Sequence, residues 1–437
     1  MGDRINKFNT PQYRTDEIPG ILQKSGIEMG DGQTSRFANE VVKKYGRLNK
    51  PLPFDLAYAA GIFAIFPYYQ SLYNDASLKI AFGSSEKSQE RVCIQSVVLL
   101  SSIYSKETNN KEGADAQLAG ISAAIFDYDI QNARDGSGFL NPETLNICDN
   151  CGTGGDTLNT FHISSSAALI AAAAGAVIAK HGSPGNARRS GSSDFVKSLG
   201  MPVGDDISPK NLEKLIDIAH FGYIEAADPR YKAIHLQTQV IVGMSHMNDI
   251  IGPITNPINP DKLTVKVLGT NQVISPQVVA GAYKILNERG ITKLNFGLFV
   301  KGLSDERKPD DTMDEISILP GGTDAVFMAN GKTENIRITY ANFGFKHPAK
   351  IENISPSSTK SDDRIGYSLD VMNGKGTEDA TNLVLANAAA LIALNRGRTD
   401  LSDLRAEVDE AREILENKKW AKVVENVRET AEMLRRE

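Results

Sequence analysis

Long apolar segments with few turn residues fill the chain from residue 36 to residue 145. They are RFANEVVKKYGRL, FDLAYAAGIFAIFPYYQSLY, RVCIQSVVLLSSIYS and ADAQLAGISAAIFDYDI, all rich in Ala, Leu or Ile. Such segments favour helices, so we predict a helical domain over residues 36–145. A similar pattern over about residues 205–250 predicts a further contribution to that domain. Residues 1–35 are polar and lack a sustained period, and we predict an N-terminal extension that forms a surface arm.

The pattern changes near residue 146, where short apolar runs begin to alternate with amphipathic segments. The clearest example consists of LTVKVLGT (263–270), PQVVAGAYKILNERG (276–290) and TKLNFGLFV (292–300). A strand, a helix and a second strand in this order form a βαβ unit with parallel strands. We therefore expect the α/β class: a small all-helical domain and, over residues 146–437, a larger α/β domain with a central, mostly parallel sheet.

Composition and charge narrow the classes of function. Hydrophobic residues make up 41% of the chain and charged residues 23%, as in ordinary globular proteins. The net charge is −6, whereas a broad nucleic-acid-binding face needs clustered Lys and Arg, so we expect no nucleic acid partner. The apolar stretch 167–179 is shorter than the roughly 20 residues of a membrane span, and residues 1–14 lack the apolar core of a secretory signal. We expect no membrane partner.

The three cysteines are too few for a disulfide framework in a chain of 437 residues. We therefore expect a reducing, cytoplasmic setting. Cys148 and Cys151 form a CxxC pair, which is compatible with a redox or metal motif and also with a purely structural role. The sequence has no second CxxC, and a closed zinc site needs four ligands.

The segment CGTGGDTLNTFHISSS (151–166) joins a glycine-rich loop to the predicted start of a helix. Glycine accepts positive φ angles and lets a ligand approach the main chain, so the N–H groups of GTGGD can point at one anion. The serines at the end of the segment precede an alanine run, and the N-terminus of that helix is a second anion site. The alternative is a tight strand-to-helix turn that binds nothing.

Two further clusters carry charge. The segment AKHGSPGNARRSGSSD places Lys180, Arg188 and Arg189 among Gly and Ser, and Lys180 follows a short predicted strand, VIAK. A lysine at the end of such a strand faces the same crevice as the glycine loop. Asp314 and Glu315 lie in a loop bounded by Pro and Gly. Adjacent carboxylates are often inert, but Mg²⁺ on a polyphosphate is commonly held by one or two of them. The three elements together predict a Mg²⁺-pyrophosphate site.

These motifs and their order resemble the anthranilate phosphoribosyltransferase family, within the nucleoside phosphorylase-like class of phosphoribosyltransferases. The resemblance runs from about residue 146 to the end, whereas the N-terminal part matches poorly and is longer than the family requires. The matching motifs are GTGGD (152–156), TFHISSSAA (160–168), KHG (180–182), SGSSD (190–194), GPITNP (252–257), LGT (268–270), DEIS (314–317) and the later NGKGTEDATNLVLANAAALIAL.

The resemblance implies Mg²⁺-dependent transfer of a phosphoribosyl group from phosphoribosyl pyrophosphate (PRPP) to an aromatic amine, anthranilate, in tryptophan biosynthesis. Pyrophosphate would leave through an oxocarbenium-like state, with positional and electrostatic catalysis. The family also implies a homodimer formed through the helical domain. The residues implied to bind PRPP are Gly152, Thr153, Gly154, Gly155, Asp156, Thr160, Ser165 and Lys180, and those implied to hold Mg²⁺ are Ser164, Asp314 and Glu315.

The acceptor side departs from the family pattern. Ser183 follows KHG where the family has an asparagine that holds the acceptor, and AIHLQTQVI stands where the family has an arginine for the anthranilate carboxylate. A neutral side chain does not replace bidentate carboxylate recognition. We assign His181, Ser183, Gln237 and Thr238 to the acceptor. The alternatives are the same donor with a different nitrogen acceptor, a nucleoside phosphorylase, and a noncatalytic nucleic-acid-binding homologue.

Overall fold

The structure is a computed structural model. It describes residues 11–29, 36–83, 89–105, 108–133, 136, 138–185, 190–239, 246–357 and 361–437. Of residues 89–90, 237–239 and 361–362 it describes the backbone alone.

Helices account for most of the regular structure in these residues. In chain order they are α1 (Ile18–Lys24), α2 (Phe37–Lys44), α3 (Phe54–Ile65), α4 (Gln70–Tyr73), α5 (Ala76–Phe82), α6 (Gln89–Ser102), α7 (Ala114–Ala124), α8 (Ile163–Ala173), α9 (Ser192–Ser198), α10 (Pro209–Ala219), α11 (Asn248–Ile254), α12 (Pro276–Glu288), α13 (Ile351–Ile354), α14 (Ser361–Met372), α15 (Glu378–Asn395), α16 (Arg405–Glu416) and α17 (Lys419–Arg436). No helix in the described part of the chain is both long and apolar enough to cross a membrane.

A single sheet runs through the second part of the chain. Its strands are β1 (Ile147–Gly152), β2 (Ile178–Gly182), β3 (Phe221–Glu225), β4 (Leu263–Gly269), β5 (Phe296–Leu303), β6 (Thr312–Met313), β7 (Thr323–Ala329) and β8 (Lys332–Ile338). The order is β3-β2-β1-β4-β5-β7-β8, and β6 pairs with β5. The first five strands in this order are parallel to one another. Strands β6 and β7 pair antiparallel with β5, and β8 pairs antiparallel with β7. This arrangement confirms the predicted α/β class and the βαβ unit.

The chain divides into two compact units. The helical unit comprises Met1–Phe139, Ala227–Pro257 and Gly281–Thr292, and the α/β unit comprises the remainder. In the helical unit α3 packs closely on α7, because Gly61 and Gly120 have no side chain at the points of contact. The four apolar segments of the sequence lie in the helices α2, α3, α6 and α7, as predicted.

In the core of the α/β unit, two apolar helices pack against each other near the sheet. Helix α8 packs on α15, and both are buried on almost every face because their sequences are apolar around the whole circumference. Thr377 begins α15, and its side-chain oxygen accepts the N–H of Ala380. The threonine thus caps the N-terminus of α15.

Three features differ from the sequence-based expectations. The segment FGYIE is strand β3 rather than helix, because His220 adopts a left-handed conformation (φ 56°) that ends α10. Helix α10 packs on β3 and α17 in the α/β unit, so the later contribution to the helical unit begins at Ala227. Part of the predicted surface arm is helix α1, whose residues Ile18, Ile21 and Leu22 are buried in the helical unit.

An ion pair is buried in the middle of the sheet. Asp149 of β1 and Lys266 of β4 are register partners, and Lys266 Nζ lies 2.5 Å from Asp149 Oδ2 with both side chains 0% exposed. The other carboxylate oxygen of Asp149 accepts the N–H of His181 at 2.9 Å. Asp149 therefore links the three adjacent strands β2, β1 and β4.

We expect Lys266→Met to lower the free energy of unfolding by about 3–5 kcal/mol, because it leaves a buried carboxylate without its cation. Urea unfolding measures this change. Lys293→Met is the matched control, since Lys293 pairs with Asp261 while its side chain is 55% exposed, and its effect should stay below about 1 kcal/mol. Equal losses in the two variants would contradict this account of the buried pair.

Candidate functional site

The glycine loop after β1 lies directly against the acidic pair. Gly154 and Gly155 have φ angles of 65° and 70°, which glycine adopts without strain. The N–H of Gly154 donates to Asp314 Oδ2 at 2.7 Å. A Cβ atom on Gly152 would overlap with the Asp314 carboxylate, and one on Gly269 would overlap with the Asp314 backbone. The glycines at the ends of β1 and β4 thus make room for Asp314.

Three carboxylates meet at this point. Asp156, Asp314 and Glu315 each offer an oxygen, and these oxygens lie within 4.8 Å of one another. Among the described residues this is the only group of three or more His, Cys, Asp or Glu side chains with such spacing. Carboxylate oxygens are ligands that Mg²⁺ prefers. The sequence had assigned Asp156 to PRPP, but the structure groups it with the acidic pair.

Glu315 is the most strongly perturbed member of this cluster. Its Oε2 atom is buried and has no hydrogen-bond partner among the described residues. Burial, followed by the charges of Asp314 and Asp156, raises the pKa of Glu315 well above its ordinary value. A bound cation would offset both effects, so the cluster fits a divalent metal.

Ser164, on the first turn of α8, lines the same small cavity as Asp314 and Glu315. The backbone there is held by Asn150, whose Nδ2 donates to the Ser164 carbonyl at 2.8 Å. The hydroxyls of Ser165 and Ser166 are buried, and no hydrogen-bond partner for them lies in the described part of the chain. Unpartnered hydroxyls at a helix N-terminus provide donors for an anion.

Lys180 supplies a buried cation on β2. The side chain is 1% exposed, and its Nζ donates to the Asn150 carbonyl at 2.9 Å. No carboxylate of the described residues lies within ion-pair distance of it. Burial lowers the pKa of Lys180, and the nearby Asp314 and Glu315 charges oppose this shift. The ammonium group is therefore suited to a bound anion between it and the carboxylates.

Sequence reasoning missed Asn387 of α15, which holds the acidic segment in place. Its Oδ1 accepts the N–H of Ile316 and its Nδ2 donates to the Ile316 carbonyl, both at 3.0 Å. Asn387 also lines the cavity beside Glu315. A buried asparagine in a mostly apolar helix was the available signal.

A second group that the sequence analysis missed joins the loop before α8 to the residues that lead into α9. His162 Nε2 lies 3.0 Å from Ser190 Oγ, and the ring stacks on Phe195 at 5.1 Å. Arg364 of α14 donates to the carbonyls of Thr160 and Ser190. Of these residues, only Thr160 had been assigned to PRPP, and the motifs offered no signal for Arg364.

Of the residues assigned to the acceptor, the structure describes the side chains of His181 and Ser183. His181 is 1% exposed and its N–H donates to Asp149, whereas Ser183 is exposed. The side chains of Gln237 and Thr238 lie outside the described residues, as do Arg188 and Arg189.

Cys148 and Cys151 do not form a redox pair. Both lie on β1, and residues three apart on a strand face opposite sides of the sheet. Their Cα atoms are separated by about 10 Å in an extended strand, whereas a disulfide spans at most about 7 Å. Burial raises the pKa of Cys151 to about 12, which keeps its thiol protonated. The pair therefore has a packing role in the sheet.

Comparisons with known proteins agree with this geometry. Residues 144–419, more than half of the chain, match the family model described as glycosyl transferase family, a/b domain. A Haloarcula marismortui protein named anthranilate phosphoribosyltransferase is 30% identical over 309 residues, which cover 70% of this chain and 83% of the relative. This chain belongs to the anthranilate phosphoribosyltransferase family.

Other members of the anthranilate phosphoribosyltransferase family give the same picture. The Petrotoga mobilis enzyme of that name is 29% identical over 293 residues, covering 67% of this chain and 78% of the relative. The Saccharomyces cerevisiae enzyme, solved in complex with PRPP and Mg, has a TM-score of 0.64 at 17% identity, covering 91% of this chain and 99% of that one. The Thermus thermophilus enzyme has a TM-score of 0.63 at 20% identity, with 90% and 99% covered. The anthranilate phosphoribosyltransferase fold thus extends over nearly the whole chain.

In this member of the anthranilate phosphoribosyltransferase family we expect Gly152→Ala to weaken Mn²⁺ binding by at least about tenfold, because the new Cβ displaces the Asp314 carboxylate. Electron paramagnetic resonance of free Mn²⁺ measures the affinity. Gly366→Ala in α14 is the matched control, since a Cβ there meets no atom of the described residues within 4 Å. Unchanged Mn²⁺ affinity in Gly152→Ala would contradict the proposed geometry.

The raised pKa of Glu315 predicts a pH dependence of metal binding. The metal must displace the Glu315 proton, so Mn²⁺ affinity should fall progressively as the pH is lowered across the range in which the chain stays folded. Glu315→Gln should bind Mn²⁺ more weakly and with a flatter pH profile over that range. A wild-type affinity that is constant with pH would show that Glu315 is already ionised.

Proposed function

We propose that this chain is a Mg²⁺-dependent phosphoribosyltransferase that transfers the phosphoribosyl group of PRPP to an aromatic amine, with anthranilate as the acceptor. The cluster of Asp156, Asp314 and Glu315, with oxygens within 4.8 Å, carries the proposal. Its position beside Ser164 and near the buried Lys180 supports it further. The names of the Haloarcula and Petrotoga relatives favour anthranilate as the acceptor.

We assign the pyrophosphate of PRPP to the space between Lys180 and the acidic cluster. Lys180 binds its oxygens as a buried cation, and the hydroxyls of Ser165 and Ser166 donate to a phosphate at the N-terminus of α8. Asp156, Asp314, Glu315 and Ser164 would hold the metal, which neutralises charge on the pyrophosphate when bound.

These groups favour departure of pyrophosphate from C1 of the ribose. As the C1–O bond breaks, negative charge grows on the leaving oxygen, and the buried Lys180 stabilises that charge. The amine of the acceptor then bonds to C1 and releases a proton to water. Fixed loops orient the ribose for this displacement, and orientation supplies the remaining acceleration.

A different nitrogen acceptor is the second candidate. Ser183 and the neutral segment around Gln237 and Thr238 favour it, because neither provides the bidentate contact that a carboxylate prefers. His181, Ser183, Gln237 and Thr238 stay our assignments for the acceptor side under both readings.

We also infer a homodimer formed through the helical unit. Ile94 and Val98, one turn apart on α6, are 54% and 51% exposed, and Leu48 is 55% exposed. Exposed apolar side chains of this kind are typical of protein contacts. A cytoplasmic location belongs to the same proposal, and the absence of a disulfide among the three cysteines supports it.

Release of pyrophosphate from PRPP and Mg²⁺ tests the proposal. We expect turnover with anthranilate and a loss of about 10²–10³-fold in kcat for Lys180→Met, because the leaving group loses its cation. Lys197→Met is the control, since Lys197 is exposed on α9. The proposed function would be wrong if the wild-type chain neither bound PRPP nor released pyrophosphate with any nitrogen acceptor.

The same assay distinguishes anthranilate from a different nitrogen acceptor. Anthranilate, other aromatic amines and nucleobases are compared at fixed PRPP and Mg²⁺. Release with anthranilate supports the first reading, and release only with another acceptor supports the second. Phosphorolysis of a nucleoside by inorganic phosphate, without PRPP turnover, would instead indicate a nucleoside phosphorylase.

A further inference from the structure

Arg364 lies outside every motif of the donor site, yet it contacts two separate segments: the loop before α8 at Thr160 (the Thr160 loop) and the residues Ser190 and Gly191 that lead into α9 (the Ser190 loop). Its Nε donates to the Thr160 carbonyl at 2.7 Å, and its Nη1 donates to the Ser190 carbonyl at 2.9 Å. Thr160 precedes the serines of α8 in the sequence, and Ser190 follows the loop that begins after the KHG motif of β2. One guanidinium group thus joins segments that are 204 and 174 residues away from it in the chain.

We propose that Arg364 is a positioning residue for PRPP, which joins the Thr160 loop to the Ser190 loop and so sets the shape of the donor site before PRPP binds. The inference rests on the proposed function. It adds a residue of the C-terminal part of the chain to the determinants of donor affinity.

The geometry requires arginine rather than any cation. The guanidinium group is planar and presents several N–H donors in a fixed fork, so it can reach two carbonyls from different loops at once. A lysine ammonium group at the end of a flexible stem offers a point charge and cannot reproduce both directions. Arg364 is also half-buried, which strengthens both hydrogen bonds.

A second link between the same loops supports this role. The ring of His162 bonds to Ser190 Oγ, and the N–H of His162 donates to Ser368 Oγ of α14 at 3.0 Å. Burial, followed by the charges of Arg364 and Lys180, lowers the pKa of His162 to about 3, so the ring is neutral. Phe161 of the first loop also packs on Tyr367 of α14, with ring centroids 5.1 Å apart. Helix α14 therefore holds the first loop through backbone, side-chain and ring contacts.

The position of Arg364 is also close enough to influence the metal cluster. Its charge is among the groups that lower the pKa of Glu315, against the larger effect of burial. Without Arg364 the two loops would have to be ordered when PRPP binds, and the cost of ordering would weaken binding. The loss should fall on donor affinity and leave acceptor affinity nearly unchanged.

Steady-state kinetics and titration calorimetry with PRPP and Mg²⁺ test the proposal in the full chain. We expect Arg364→Met and Arg364→Lys each to raise the KM and Kd for PRPP by about 10- to 100-fold, because hydrogen bonds from a charged group are lost. The KM for the acceptor should change less than about threefold, and kcat should fall less than the KM for PRPP rises. Asp370→Asn is the control, since Asp370 is exposed on the same helix.

The variants also distinguish the effect of the two hydrogen bonds of Arg364 from the effect of its positive charge. Wild-type affinity in Arg364→Lys would overturn the proposal, because a positive charge alone would then be sufficient. An equal rise in the KM for PRPP and for the acceptor, together with a lower melting temperature, would also overturn it and indicate general stabilisation. If Arg364→Met does not fold, Arg364→Lys decides the question by the same criteria.

Ser190→Ala provides an independent check, since it removes the contact with His162 but keeps the Ser190 carbonyl for Arg364. Because both links join the same loops, the combined variant Ser190→Ala with Arg364→Lys should lose less affinity than the sum of the single changes. Strict additivity would contradict a shared role. Failure of the wild-type chain to bind PRPP would count against the proposed function, whereas binding that is insensitive to Arg364 would count against this inference alone.

Discussion

The close approach of Asp314 to the ends of β1 and β4 is the contact on which the candidate site depends. It is possible because Gly152 and Gly269 have no side chain, and the N–H of Gly154 then donates to the Asp314 carboxylate. A larger residue at either glycine would move the acidic segment away from the glycine loop. The sheet thus brings together a loop after β1 and a segment that follows β6, more than 150 residues later.

Buried polar groups around this contact are held by residues of β1 and α15. Lys180 of β2 and Ser164 of α8 are both tied to Asn150 of β1, and Asn387 of α15 holds the backbone next to Glu315. Such groups are costly to bury unless they are paired or meet a ligand. Among them lie oxygens of Glu315, Ser165 and Ser166 that have no partner within the residues the structure describes, which is why the site is suited to a metal and a phosphorylated ligand.

Much of the fold could be predicted from the sequence because its strongest signals are local. The run LTVKVLGT, the helix after it and the next strand follow from periodicity alone, and they form β4, α12 and β5. The strand β3 could not be recognised, because FGYIE is short and follows an amphipathic helix without a turn motif. The hairpin of β7 and β8 carried a usable signal, since Asn330 and Gly331 form its two-residue turn with positive φ angles.

For the site, the motifs identified the residues that carry glycine, serine or charge, and the structure brings Ser164, Asp314 and Glu315 to one cavity. The grouping of Asp156 with the acidic pair depends on how the loop turns, which spacing does not specify. Arg364 and His162 act through contacts between distant segments, and no local pattern reports such contacts. The motifs of the donor side match the family, whereas Ser183 and the segment AIHLQTQVI replace the family's contacts with the acceptor. The sequence therefore specifies the donor more closely than the acceptor.

A crystal structure of the full chain with PRPP and Mn²⁺ tests the central claim most directly, because anomalous scattering locates the metal independently. The account predicts a Mn²⁺ peak at about 2.0–2.3 Å from carboxylate oxygens of Asp314 and Glu315, with the pyrophosphate against Lys180. A Mn²⁺ peak away from these carboxylates, or PRPP bound away from the glycine loop and α8, would contradict it.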